Sequence, residues 1–502
     1  MNTRPTTDHL AAALPAGKPD FVYLNGIDPE TGMYAVQPVP IEELAEGVRR
    51  SFSAPSGAAL RGDPVRSFAA PYGIHLERTE DAGWAVVFSE GAADEVREAL
   101  EPLVEHRLAQ AGPLLRVLDY RKGERIHDWY FRHRVAPGEL SPEQVPYYLL
   151  LVGPPAEIPF DFQCALSEDY AVGRLAFDRA ADYERYARSV VAYETGGAIS
   201  NAKQIVYWGT CHPGDPATGL SASYLIDALA DGVEGARGAE GRAIHARVGY
   251  ERKLYRGQDA TREQLLAALR GPRAPAVLFA ASHGMAVRSG RPNQAADQGG
   301  LLCQDWPGSG GVHREHYLTA EDVADDANVS GLVAILFASF GAGTPATDQF
   351  LTGFSKVDTP APLAERPFLA ALPSRLLSHP AGSALAVVGQ ADRAWGFSVQ
   401  PPKATDPQTG VFRNSLGYIL DGTPVGHVVA QQFGQRSAAL SAALLGAVSP
   451  TAPASVRPSD RDLVGYWLER NDARGCVLLG DPAVRIRKDH FARAPVPARA
   501  SQ

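Results

Sequence analysis

Six short runs constrain this chain more than anything else in it. They are YYLLLVG (147–153), QIVYWGT (204–210), AVLFAAS (276–282), VAILFAS (333–339), SALAVVGQ (383–390) and GCVLLGDPAVRI (475–486). Each is apolar over most of its length and ends at a glycine or small polar residue, as a strand buried on both faces does. Helical patterns fall between them. DYERYARSVVAYETG (182–196) and SASYLIDALADGV (221–233) carry apolar stripes. Thr261 to Gln264 matches a capping box, followed by Leu265, Leu266 and Leu269. A long helix is predicted from Thr423-Pro424 to about Val448, with proline in the first turn, where its missing N–H costs nothing. Strands alternating with helices predict an α/β fold: a mostly parallel sheet flanked by helices.

Upstream, WAVVF (84–88) reads as a strand, EVREALEPLVEHRL (95–108) as one helix and YAVGRL (170–175) as a strand. These divide the chain into a Pro- and Gly-rich lead-in (1–75), a preceding α/β subdomain (76–197), the main α/β domain (198–490) and a disordered tail (491–502). The lead-in is expected to be irregular or a small α+β unit. GGLLCQDW (299–306) reads as a hairpin, and Thr319-Ala-Glu-Asp as the start of a short helix.

The formal net charge of −9 leaves no basic surplus for nucleic acid as the main partner. The four cysteines (Cys164, Cys211, Cys303, Cys476) are scattered without CxxC spacing, so reduced thiols are expected. The first residues show no apolar h-region, and no stretch of about 18 apolar residues occurs. The expectation is a cytoplasmic protein with no membrane partner. His313 and His316 read as a surface segment rather than metal ligands, so no metal or cofactor is expected.

On a parallel sheet, ligands bind at the carboxyl ends of the strands. Two such ends carry chemistry: His283-Gly284 after AVLFAAS, and Ser339-Phe-Gly-Ala-Gly closing VAILFAS. An imidazole can activate a thiol, whose free pKa is roughly 8.5. Glycine lets a substrate backbone approach and leaves its own N–H free, so the Gly284 and Ser339 amides would form an oxyanion hole. The alternative for either motif alone is a histidine capping a strand and a serine opening a turn.

The combination of SHG with an apolar strand ending in A-x-x-G-A-G resembles the caspase-like (clan CD) peptidases, and within them the gingipain-like and CHAT-type bacterial members. YYLLLVG…SEDYAVGRL, ALAVVGQADRAWG and LLGDPAVRI are similar to further segments of that family, so the resemblance spans about 145–487. It implies a caspase-like fold and a cysteine endopeptidase acting on protein or peptide substrates. His283 would be the base and position 339 the nucleophile. The family carries cysteine where this chain has Ser339. A deliberate Cys→Ser replacement, a natural pseudo-peptidase holding peptides as a scaffold, and a true serine hydrolase are the three explanations. The first is preferred because the other motif residues are intact. The third is weakest, since no third triad member is visible in the sequence.

In the gingipain-like members an acid just before the Y…GR segment pairs with a basic P1 side chain. Glu168 and Asp169 occupy that neighbourhood, at a shorter interval to Gly173, with Asp161 as the alternative. Trp395 would cover the pocket and stack on a guanidinium. The resemblance thus implies cleavage after Arg or Lys. The competing reading makes Glu168 and Asp169 a solvated loop pair and Trp395 a core residue. Arg288–Arg291 would then be a site of activating or self-cleavage, and an upstream protease or regulator a partner.

Overall fold

The computed structural model describes residues 21–23, 25–53, 72–196, 201–233, 242–348, 362–394, 399, 409–449 and 457–488. The apolar runs become strands of one ten-stranded sheet. In chain order these are β1 (Trp84–Ser89), β2 (Leu115–Tyr120), β3 (Tyr148–Val152), β4 (Ala171–Leu175), β5 (Ala202–Gly209), β6 (Glu251–Arg256), β7 (Pro275–Ala281), β8 (Val333–Phe337), β9 (Ala386–Gln390) and β10 (Cys476–Gly480). Their spatial order is β6-β5-β7-β8-β9-β10-β4-β3-β1-β2. Every neighbouring pair is parallel except β9–β10. The strands before residue 176 fill one half and those from 202 to 390 the other, and β10 joins them. Every residue of β7, β8 and β9 is buried, as strands covered on both faces must be.

Four helices are used below: α1 (Ile41–Ser53), α2 (Ala180–Thr195), α3 (Gln435–Val448) and α4 (Asp460–Gly475). Within the lead-in, α1 is amphipathic. Its Ile41, Leu44, Val48 and Phe52 pack with Val22 on Leu444 of α3 and on Leu463, Val464, Trp467 and Leu468 of α4. This apolar cluster ties the start of the described chain to its end.

The helix expected over 95–108 is two helices, Asp94–Ala99 and Glu101–Ala111. Pro102 explains the break. It has no N–H to donate back across the junction, but it sits without cost in the first turn of the second helix. The Thr261 cap is present, its hydroxyl accepting from the Gln264 N–H at 3.3 Å. Of the hairpin expected over 299–306, only Leu301–Leu302 is a strand, and it pairs with Tyr317–Leu318 beyond that stretch. Among the described residues no helix is long and apolar enough to cross a membrane. The tail expected to be disordered lies outside the described residues.

Candidate active site

Three adjacent parallel strands, β5, β7 and β8, end in register, with Gly209 beside Ala281 and Ala281 beside Phe337. The segments leaving those ends deliver Asp215, His283 and Ser339. The sequence therefore did contain a third polar partner for the histidine. His283 Nε2 lies 2.6 Å from Asp215 Oδ2. Asp215 is held in turn by the Thr218 hydroxyl at 2.6 Å, the Ala217 N–H at 3.1 Å and the Tyr34 hydroxyl. Burial works against ionising Asp215. The His283 imidazole and the hydrogen bonds from His283, Thr218 and Tyr34 outweigh it, so the carboxyl sits well below the usual carboxylate range. An ionised Asp215 accepts the Nε2 proton and leaves the Nδ1 lone pair of His283 facing the cleft.

The Ser339 turn is backbone-strained. Phe340, directly after Ser339, has φ of 60°, which a bulky residue adopts only when its surroundings enforce it. The enforcement is visible. The Phe340 N–H donates to Asp392 O at 2.7 Å and the Ala342 N–H to Gln390 O at 2.8 Å, pinning the turn to the end of β9 and the residues just after it. Gly284 packs backbone to backbone on Ser339: a Cβ there would lie 1.8 Å from Ser339 O. Gly284→Ala must therefore push the two strand ends apart. It is expected to destabilise the fold by about 1–3 kcal/mol, as overpacking of a close contact does. Urea unfolding followed by circular dichroism would check this.

A segment of the lead-in lies across these groups. Ser339 Oγ donates to the Asn25 carbonyl and accepts from the Ala394 N–H at 3.0 Å. The Gly26 N–H donates to His283 Nδ1 at 2.9 Å. Asn25 is fixed by its N–H to Ala394 O (3.2 Å) and by its side-chain Nδ2 to Ser282 O (2.8 Å). Ile27 forms a parallel bridge with Met285. The 25–34 stretch gave no signal of its own in the sequence, being a Pro- and Gly-containing polar run. Asp215 left only an Asp-Pro pair, which marks the start of the helix Pro216–Leu220 and says nothing of a histidine partner.

The pocket residues expected from sequence are spread out. Asp161 accepts from Arg474 at 2.8 Å and borders a cavity of about 190 Å³. Thr347, beyond the Ser339 turn, and Asp392 line the same cavity. Burial, and then the Asp348 charge, push the Asp392 carboxyl well above the usual range. Asp169 faces elsewhere, accepting from the Tyr130 hydroxyl at 2.7 Å and the Gly138 N–H at 3.3 Å. The Glu168 backbone lies against Gly434, and its charge acts on Arg470. Trp395 lies outside the described residues. Arg393 is paired with buried Asp348 at 2.8 Å. His313 and His316 cap one turn reciprocally, and among the described residues no group of three His, Cys, Asp or Glu side chains is placed to hold a metal ion.

No protein-family model matches the chain, and no curated protein matches it in sequence. Among solved structures it is similar to one described as that of a protease, at 12% identity and TM-score 0.44, over 85% of this chain and 79% of that one. It is also similar to the Arg-specific cysteine proteinase gingipain R (RgpB), at 12% identity and TM-score 0.45, over 81% and 78% of the two chains. A third is the complex of the pro- and mature domains of Porphyromonas gingivalis RgpB, at 11% identity and TM-score 0.43, over 81% and 80%. Similarity this remote transfers no residue role to the chain.

Proposed function

We propose that this chain is built as a caspase-like endopeptidase of the cysteine type, with His283 as base, Asp215 as its positioning residue and position 339 as the nucleophile. One observation carries the reading. A peptide bond lies between the two reacting groups, its carbonyl on the residue-339 side chain and its nitrogen on His283 Nδ1. The imidazole and the residue-339 side chain thus both reach one peptide group in the cleft, as a base and a nucleophile serving one substrate must. Serine at 339 keeps this geometry, but its hydroxyl is far less acidic than a thiol. On this reading the serine-bearing chain is nearly silent. A preference for Arg or Lys at P1 is carried by the family resemblance alone, since Asp161, which borders the neighbouring cavity, already pairs with Arg474 at 2.8 Å.

Ser339 together with an occupied cleft also supports a second reading, a protein that holds peptides without cutting them. The test is cleavage of fluorogenic peptides bearing Arg, Lys, Asp or Leu at P1 by the Ser339→Cys form and by the unsubstituted chain. Activity is expected in the cysteine form alone, highest for Arg, and lost on His283→Ala. Peptide binding by both forms with turnover by neither would support the second reading and sink the first.

A further inference from the structure

We propose that Asn25 is a modification site: its side-chain amide is converted to a carboxylate through a cyclic imide closed by the Gly26 nitrogen, with His283 as the base. The reaction needs no thiol at position 339, so it is open to the chain with serine in place. It goes beyond the peptidase reading and does not depend on it.

Asn25-Gly26 is the one Asn-Gly pair in the sequence. The backbone nitrogen that follows an asparagine can close a ring on the side-chain carbonyl carbon. Glycine, with no Cβ, leaves that nitrogen least shielded. In an ordinary chain the reaction is slow, because an amide nitrogen is a poor nucleophile until its proton is removed. Here both ends of the amide are engaged in the sense that removes it. The Gly26 N–H donates to His283 Nδ1 at 2.9 Å, and Ser339 Oγ donates to the Asn25 carbonyl. A donor on the oxygen and an acceptor on the nitrogen polarise the amide together. Asp215, ionised, holds the opposite ring nitrogen at 2.6 Å, so Nδ1 keeps its lone pair for the proton. The Gly26 bond thus runs in the direction of proton removal, as general-base catalysis requires.

The electrophile is placed as well. Asn25 is 1% exposed. Its Oδ1 is buried with no hydrogen-bond partner among the described residues, while its Nδ2 donates to Ser282 O at 2.8 Å. A buried polar oxygen without a partner opposes folding and calls for a reason. Turning the side-chain carbon onto the Gly26 nitrogen breaks the Nδ2 bond alone. The backbone on either side stays fixed, by the Asn25 N–H to Ala394 O (3.2 Å) and the Ile27 N–H to Gly284 O (3.3 Å).

The atoms balance with water as co-reactant. The Gly26 nitrogen gives its proton to His283 Nδ1 and bonds to Asn25 Cγ. The Cγ–Nδ2 bond breaks as Nδ2 takes the proton from Nδ1, and ammonia leaves. Water then opens the imide. Attack at the side-chain carbonyl gives aspartate at position 25, and attack at the backbone carbonyl gives isoaspartate. Neither carboxylate can donate to Ser282 O, so the contact that held the amide is lost.

The experiment is peptide mapping by tandem mass spectrometry of the full chain as it stands. The chain is held at neutral pH in water carrying heavy oxygen, either folded or unfolded in urea. Conversion of Asn25 with uptake of the heavy oxygen is expected about tenfold faster in the folded chain than in urea. His283→Ala is expected to remove that acceleration. So is Asp215→Asn, which puts the ring proton on Nδ1 and leaves no base. Ser339→Ala, which removes only the donor on the carbonyl, is expected to reduce it in part. None of these changes should alter the rate in urea. A fold that protects Asn25, so that it converts more slowly than in urea, would overturn the proposal. So would a folded Asp215→Asn chain that converts it at the parent rate. Neither outcome bears on peptide cleavage by the Ser339→Cys form, so the two readings fail separately.

Discussion

In the Ser339→Cys form, Asp215→Asn is expected to lower kcat by about 10²–10⁴-fold while KM changes less than threefold. The substitution keeps shape and removes charge. An asparagine amide turned toward His283 Nε2 would donate where the carboxylate accepted, forcing the ring proton onto Nδ1. That nitrogen could then take no proton from the thiol. Substrate contacts are untouched, so the loss falls on kcat. Because its carboxyl is held below the usual carboxylate range, Asp215 is already ionised throughout neutral pH, and the defect should be equally deep from pH 6 to pH 8. Added formate should partly restore turnover to Asp215→Ala by refilling the carboxylate site, an effect no purely structural role predicts. A folded Asp215→Asn enzyme with near-normal kcat would remove Asp215 from the machinery.

What could be read in the sequence follows from burial. The strands that place His283 and Ser339 are covered on both faces, so their runs are almost purely apolar and stand out. The edge strands do not. Glu251–Arg256 pairs on one side only and is largely exposed, so ERKLYR carries no apolar signature, and Leu115–Tyr120 at the opposite edge is half-exposed. Helix Asp460–Gly475 was missed although Ser459 caps it, its hydroxyl accepting from the Asp462 N–H at 3.2 Å. At the site, residues at strand tips were legible because glycine marks the turn. Asp215 was not, since it reaches the histidine from a different strand's loop, 68 positions away in sequence. The 25–34 segment is harder still: its place across these groups is a tertiary pairing of an irregular segment with residues more than 250 positions distant. Asp169 shows what local pattern leaves out. The resemblance suggests it as a pocket acid, and in the fold its carboxylate accepts from the Tyr130 hydroxyl and the Gly138 N–H.

The closing GDPAVRI segment has a physical role that yields the second large effect. Asp481, fully buried at the end of β10, accepts from Trp84 Nε1 at 2.9 Å, from Arg107 Nε at 2.7 Å and from the Ala483 N–H at 3.1 Å. Arg107 is 1% exposed and also forks onto Glu194 of α2, with both contacts at 2.7 Å. One guanidinium therefore bridges two carboxylates where β10 joins the halves of the sheet. Arg107→Leu keeps apolar bulk but strands both acids, and is expected to destabilise the fold by about 3–5 kcal/mol, the cost of an uncompensated buried charge. Urea unfolding would measure it. Burial alone would raise the Glu194 carboxyl, but the Arg107 charge and the bonds from His106 and Arg107 more than offset this and hold it well below its ordinary value. A depressed carboxyl adds stability above its unfolded pKa of about 4.3 and loses it as pH falls. The gap between wild type and Arg107→Leu should therefore be full at pH 7 and narrow progressively below about pH 4. A gap that stayed constant down to pH 3 would mean that Arg107 acts through packing alone, and that β10 is held between the two halves by its strand pairing and not by this charge.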